Sequence, residues 1–270
     1  MKAIISHDID TLTVYEHYKD LIIPKHIVRS LVETFNGGIT LKEAGYRILE
    51  IIENKTNYIK DIVDFNKKMI IPTTFFIGVN NGLGLSYSLS QAEKWIEFLE
   101  NKGCNLGVHS LQFDDLNKIA DEYKKFQSLS KIKRFGVRIH YLRMTKETLE
   151  FFNKAGFSYD SSLYTLKDPF KVGNLYEFPL HIMDTRVLNR DNNWRSLTFK
   201  EAQDYTISII NHVREKKLKY LTILFHDRYY SPGFQKWKDW YQWLIEYIKN
   251  EKIEFIDYFT AIEELKNNGL

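Results

Sequence analysis

Cysteine is almost missing from this 270-residue chain: Cys104 is the single one, so no intrachain disulfide can form. Its place before a strand reads as a small buried apolar residue. Proline is scarce, five in all, and no Pro/Gly/Ser-rich stretch, repeat or low-complexity tract marks a linker. A single domain over residues 1–270 is expected. No apolar run approaches the ~18 residues of a membrane span. Met1-Lys2 leads straight into a strand and then charges, which does not read as a signal peptide. The expectation is a cytoplasmic protein with no integral membrane segment. A dominant charge is lacking as well. Thirty-eight Lys and Arg stand against 35 Asp and Glu, interleaved with no basic stripe, which argues against a nucleic-acid partner.

What is present is a 44% hydrophobic fraction, enough for a sizeable core, arranged as short apolar runs between longer helical patterns. Strands are expected at Ala3–His7, Thr73–Ile77, Asn105–Val108, Phe135–Arg138, Phe157–Asp160, Tyr176–His181, Tyr220–Phe225 and Glu254–Ile256. Helices are expected at Leu41–Ile52, Tyr58–Lys68, Ser90–Lys102, Asp114–Ser128, Lys146–Ala155, Lys200–Glu215, Trp237–Lys249 and Thr260–Asn267. Ser88 and Thr198 read as helix caps, and Gly103 and Gly156 as glycines following a helix end. This alternation predicts a parallel α/β sheet or barrel, with chemistry where the strands end.

Polar residues gather at those ends. Asp8 and Asp10 follow the apolar run Ala3-Ile4-Ile5, and carboxylates at i and i+2 of a strand point the same way. Like charges that close need a cation or proton, so the pair suggests a metal site or an acid–base pair. The plainer reading is a strand end with an aspartate capping the next helix. His109 ends another strand and, beside Asp10, suits zinc or a similar ion. Arg138 can hold a carboxylate, and His140 shares its strand face. His181, Asp184 and His226 end further strands. His7 reads as a supporting group or a plain core-edge residue, and His17, His26 and His212 as ordinary surface or satisfied residues. Trp237, Trp240 and Trp243 form a helical packing stripe, with a secondary possibility of an aromatic sugar subsite from Tyr229 and Trp237.

In order along the chain these segments resemble the polysaccharide deacetylases, carbohydrate esterase family four, known by the NodB-homology domain. The matching stretches are Ser6-His7-Asp8-Ile9-Asp10, Thr73-Thr74-Phe75-Phe76-Ile77-Gly78, Gly107-Val108-His109-Ser110, Arg138-Ile139-His140-Tyr141, Ala155–Ser162, Ile182-Met183-Asp184 and Ile223–His226. The resemblance implies a distorted (β/α) barrel of about seven parallel strands. It also implies a divalent metal, usually zinc, and hydrolysis of an N-acetyl or related N-acyl amide on a sugar. Carried over, Asp10 and His109 would bind metal, Asp8 would be the general base and Arg138 would hold Asp8. His226 would be the general acid oriented by Asp184, and the backbone N–H of Tyr141 would help hold the oxyanion.

The chain departs from the pattern in three places. Phe113 stands where the family's second histidine ligand falls. His140 replaces the proline of Arg-x-Pro-Tyr, and the hypothesis is that it supplies the missing ligand. The fourth motif's tryptophan has no counterpart. Competing readings are a catalytically silent carbohydrate-binding member of the same fold, a different metal hydrolase such as a phosphoesterase, and a purely structural domain. The expected substrate is a sugar or glycan precursor, nucleotide- or lipid-linked, for a surface polysaccharide.

Overall fold

Strand β1, Lys2–Ile9, is buried along all but its first residue. Ala3, Ile5 and Ile9 join the outer core beneath the helices, while Ile4 belongs to the inner cluster. Alternation then turns Ser6 and Asp8 inward with Ile4. The computed structural model, which describes residues 1–189, 197–267 and 269, builds the remaining elements around this strand. Three helices follow it: α1 (Ile22–Phe35), α2 (Leu41–Ile52) and α3 (Ile59–Lys68). Strand–helix units then succeed one another as β2 (Thr73–Ile77), α4 (Leu89–Asn101), β3 (Asn105–Ser110), α5 (Leu116–Leu129), β4 (Gly136–Ile139) and α6 (Thr148–Ala155). Next come β5 (Tyr159–Asp160), β6 (Phe170–Val172), β7 (Leu175–Glu177) and β8 (Ile182–Met183). The chain ends with α7 (Asp184–Leu188), α8 (Phe199–Glu215), β9 (Tyr220–Leu224), α9 (Gln235–Asn250), β10 (Glu254–Ile256) and α10 (Tyr258–Asn267).

Among the described residues ten strands form one sheet, parallel except for the β6–β7 hairpin. β1 takes β2 along Ile5–Ile9, β9 along Lys2–Ser6 and β10 along Lys2–Ile4. β7 and β8 lie on one stretch of chain. Along it Phe178 N–H donates to Asp160, Leu180 to Leu163 and His181 to Thr222. That stretch links the β5 side to the β9 side, so β1–β5, the β7–β8 stretch and β9 run round a distorted (β/α) barrel.

The barrel's lower interior is aromatic. Phe76, Tyr159, Phe178, Tyr220 and Tyr258 fill it, with Tyr159 and Tyr258 stacked at 4.4 Å. Two strand glycines make the room: a Cβ on Gly107 would come within 2.6 Å of the Phe76 ring, and one on Gly136 within 2.2 Å of Tyr159. The caps at Ser88, Thr198 and Gly156 follow the expectation, and Thr40 and Asp115 add two that it did not name. Thr40 and Thr198 close capping boxes, Ser88 and Asp115 accept first-turn N–H groups, and Gly156 ends α6 at φ 100°. The Trp240 ring, fully buried, donates to Thr206 on α8, which makes the tryptophan stripe a helix–helix seam. α1 was not expected: Pro24, two isoleucines and His26 at its start mask a helix pattern. Among the described residues no helix is long and apolar enough to cross a membrane.

Below the strand ends lies a buried carboxyl pair, Asp160 and Glu177. Asp160 accepts from the Ser162 hydroxyl and N–H. Burial and then the Asp160 charge push Glu177 well above the usual carboxylate range, so Glu177 carries the proton. A carboxyl raised on folding stabilises most below its unfolded pKa, and that stability is lost as pH rises toward the folded value. Glu177→Gln keeps the neutral form at every pH. Thermal melts from pH 5 to 9 are expected to show the variant gaining over the parent as pH rises, by roughly a few degrees at the alkaline end. A pH-independent difference would refute the protonated assignment.

Candidate metal centre and active site

Asp8 and Asp10 leave the top of β1, His109 the top of β3, and His140 the turn after β4. Parallel register sets His109 beside Arg138. Three donor atoms converge here. His109 Nε2 lies 3.2 Å from Asp10 Oδ1 and 3.0 Å from His140 Nδ1, and His140 Nδ1 is 3.3 Å from the same Asp10 oxygen. A tetrahedral ion with bonds of about 2.0–2.1 Å holds its donors about 3.3–3.4 Å apart, so the triad matches that spacing. The outer ring atoms fit too. His109 Nδ1–H donates to Arg138 O at 3.2 Å and His140 Nε2–H to Leu83 O at 3.1 Å. Both histidines thus turn lone pairs toward the common point, the tautomers a metal needs. Burial works against charge on Asp10, but His109 and His140 outweigh it and hold its carboxyl well below the usual range.

Phe113 is turned elsewhere. Its half-buried ring packs against the outer core, with the Arg143 guanidinium 4.7 Å from its centroid. Arg143 also donates to Leu111 O at 3.0 Å, tying the β3 loop to the segment that carries His140. That segment is strained: Tyr141 and Leu142 sit at φ 63° and 52°, a conformation that costs a non-glycine residue about 1–3 kcal/mol and gathers at functional sites. The Tyr141 side chain is exposed on the cavity wall.

Arg138, fully buried, is a hub with every N–H used. Nη1 donates to Asp8 at 3.0 Å and Ser6 at 2.9 Å, Nη2 to Ser161 Oγ and Tyr258, each at 2.9 Å, and Nε to Ser161 O at 2.7 Å. Its plane lies 4.3 Å over Phe76, on top of the aromatic layer. Asp8 is therefore held by one oxygen while it lines the cavity. Opposite, His226 Nδ1–H donates to Asp184 at 2.9 Å, and Asp184 also accepts the His226 N–H at 2.6 Å. Burial alone would lower the imidazole. The Asp184, Asp10 and Asp8 charges overcome it and raise His226 well above its ordinary value. Its Nε2 lies 3.8 Å from Asp10.

A cavity of about 550 Å³ brings together Asp8, Asp10, His109, His140, Tyr141, His226 and Tyr229. Arg138 and Asp184 stand directly behind it. Trp237 is not on its wall; the ring is 4% exposed and stacks under Tyr229 at 4.0 Å. His181 is held by Thr222 and Lys167 O, away from the site. His7 faces outward, bonded to Phe225 O and Asn66, and burial pushes it down to about 3. The sequence reading missed Tyr258, Tyr87 and Glu122. Tyr87 donates to Ile9 O between the two aspartates. Glu122 takes the Ser110 hydroxyl and the Leu111 N–H just after His109. Tyr258 and Tyr87 act across elements far apart in sequence, so no local signal marks them, whereas Glu122 acts back from α5 onto the end of the strand before it.

No family model matches the sequence, and no curated protein matches it. Solved structures do match. A Mycobacterium smegmatis protein assigned to the polysaccharide deacetylases aligns with TM-score 0.66 at 15% identity, covering 99% of this chain and 91% of that one. The allantoinase PuuE aligns with TM-score 0.59 at 15% identity, covering 96% and 87%. A mutant of a CE4 family pseudoenzyme aligns with TM-score 0.50 at 8% identity, covering 96% and 66%. At such identities the shared property is the fold, and the chain has the same distorted (β/α) barrel as these proteins.

Proposed function

We propose that the protein is a metal-dependent hydrolase of the polysaccharide deacetylase kind, cleaving an N-acetyl or related N-acyl amide on a sugar or glycan precursor. The convergence of Asp10, His109 and His140 on one point beside Asp8 and His226 carries this reading. A divalent cation held by the three, with zinc the first choice for such donors, would acidify a water and polarise the amide carbonyl. Asp8, to which Arg138 donates, would take the proton of the attacking water. The Tyr141 N–H is assigned to the developing oxyanion. His226, protonated through Asp184, supplies the proton to the leaving amine. Tyr229 offers the sugar a ring face.

The direct test is amine release from N-acylated sugars by the zinc-loaded protein. Phe113 favours a second reading, a silent carbohydrate-binding member; sugar binding without amine release would select it. The acid has its own signature. His226 is active below its raised pKa, so it sets the alkaline limb of the pH–rate profile. Asp184→Asn removes the first of the raising charges and is expected to move that limb down by at least about one pH unit, toward the ordinary imidazole value near 6.5. An unmoved limb would assign it to another group.

A further inference from the structure

A second cleft of about 320 Å³ adjoins the metal centre and shares Asp10, His140, Tyr141 and Tyr229 with it. Its other wall comes from α1 and the turn after β9 and is cationic: Lys25, Arg29 and Arg228 line it together with His26. The charges there do not balance. Glu33 serves two guanidiniums, Arg29 at 2.6 Å and Arg47 at 2.7 Å. Arg228 has no carboxylate within ion-pair distance among the described residues; it rests against His26 and 5.6 Å over the Phe234 ring. Its neighbour Asp227 does not compensate it, because burial pushes that carboxyl up to about 8. Glu50, a further nearby carboxylate, accepts from the Tyr58 and Ser231 hydroxyls rather than from a guanidinium. Burial, then Arg228, Arg29 and Arg47, push His26 down to about 2, so it stays neutral. With His26 neutral, Lys25, Arg29 and Arg228 line the cleft and Arg47 stands behind Glu33; Glu33 answers only part of that charge, and Asp10, the carboxylate on the lining, belongs to the metal centre, so positive charge is left in excess.

A guanidinium with no counter-charge, half-buried at the edge of a substrate cavity, costs stability unless an anion arrives. Guanidiniums also offer paired N–H groups that suit phosphate oxygens. Resting on the functional reading above, we propose that this cleft binds the phosphate or diphosphate of a phosphate-linked glycan precursor, so that the acylated sugar attached to it lies over Asp10. That excess, carried by forked guanidiniums, suits a phosphate or diphosphate group better than a single carboxylate. A neutral polymer would leave the charge unanswered.

The probe is inorganic pyrophosphate, followed by calorimetric titration and thermal shift on the full chain stripped of metal by chelator, so that a bound ion cannot take the anion. Binding and a raised Tm are expected, and Arg228→Gln is expected to weaken binding by about tenfold or more and to abolish the shift. Without pyrophosphate the variant is expected to melt no lower than the parent, since it removes an unmatched charge; that separates lost binding from lost folding. Binding that vanishes with the metal, or that Arg228→Gln leaves intact, overturns the proposal. Titration with a nucleoside diphosphate and with a short-chain prenyl phosphate then separates the two sources of the phosphate, the tighter one naming the carrier. If pyrophosphate fails to bind while zinc-loaded protein deacylates neutral sugars, only this inference falls. If pyrophosphate binds but no N-acyl sugar, phosphate-linked ones included, is ever cleaved, the cleft stands and the hydrolase reading falls.

Discussion

Asp8→Asn is expected to lower amine release by about 10³-fold while leaving the metal content of the protein unchanged. The reasoning is geometric. Asp8 is fixed through one oxygen by Arg138 at 3.0 Å, and it stands outside the triad of converging donors. Asparagine keeps the shape and an acceptor for that guanidinium but cannot take a proton. Removing the negative charge also weakens a fully buried ion pair. Breaking such a pair outright costs about 3–5 kcal/mol, but Ser6, Ser161 and Tyr258 still satisfy the other N–H groups of Arg138. The variant is therefore expected to fold with a lowered Tm. Metal analysis, a thermal melt and an amine assay on one preparation check all three statements. Loss of metal with the activity would make Asp8 a ligand rather than the base.

The two aspartates part company for a reason that strand periodicity alone does not contain. Alternation places Asp8 and Asp10 on one side of β1, and that much is legible in the sequence. What separates them is the height at which neighbouring strands deliver their partners. Arg138 meets β1 within the barrel, at Ser6 and Asp8, whereas His109 and His140 meet Asp10 above it. Most of the strand–helix order was readable because barrel strands are short apolar runs bounded by capped helices; α1, β6 and α7 were not. The capping boxes at Thr40 and Thr198 show how local the control is. The aromatic layer under Arg138 was not readable. It depends on Gly107 and Gly136 vacating space for rings from other strands, and on Tyr258 from the far end of the chain. The cationic cleft was missed for a related cause. His26 read as an ordinary surface or satisfied residue, and only the fold sets it against Arg228, two hundred and two positions away. Sequence spacing carries facing and period; it does not carry which distant charge arrives opposite.

His140→Ala has the second largest expected effect, and it falls on the metal rather than on the proton. Asp10 and His109 alone leave a two-donor site. Since loss of a mere supporting partner costs about 10–100-fold in metal affinity, loss of a direct donor is expected to cost at least about 100-fold, read by competition titration and by metal content after dialysis. Activity is expected to fall with the metal and to return partly at high zinc. The strained turn at Tyr141 and Leu142 follows directly on His140, whose Nδ1 lies 3.0 Å from His109 Nε2. Adding Phe113→His to the same variant is not expected to restore binding. The side chain at 113 packs into the outer core under Arg143, and Thr148 holds its carbonyl at 2.8 Å, so the backbone there aims a histidine away from Asp10. Recovery of tight zinc in the double variant would show that the loop turns over easily and that the ligand's move from the β3 loop to the turn after β4 is a choice of residue rather than of backbone. Full retention of zinc by His140→Ala alone would remove His140 from the site.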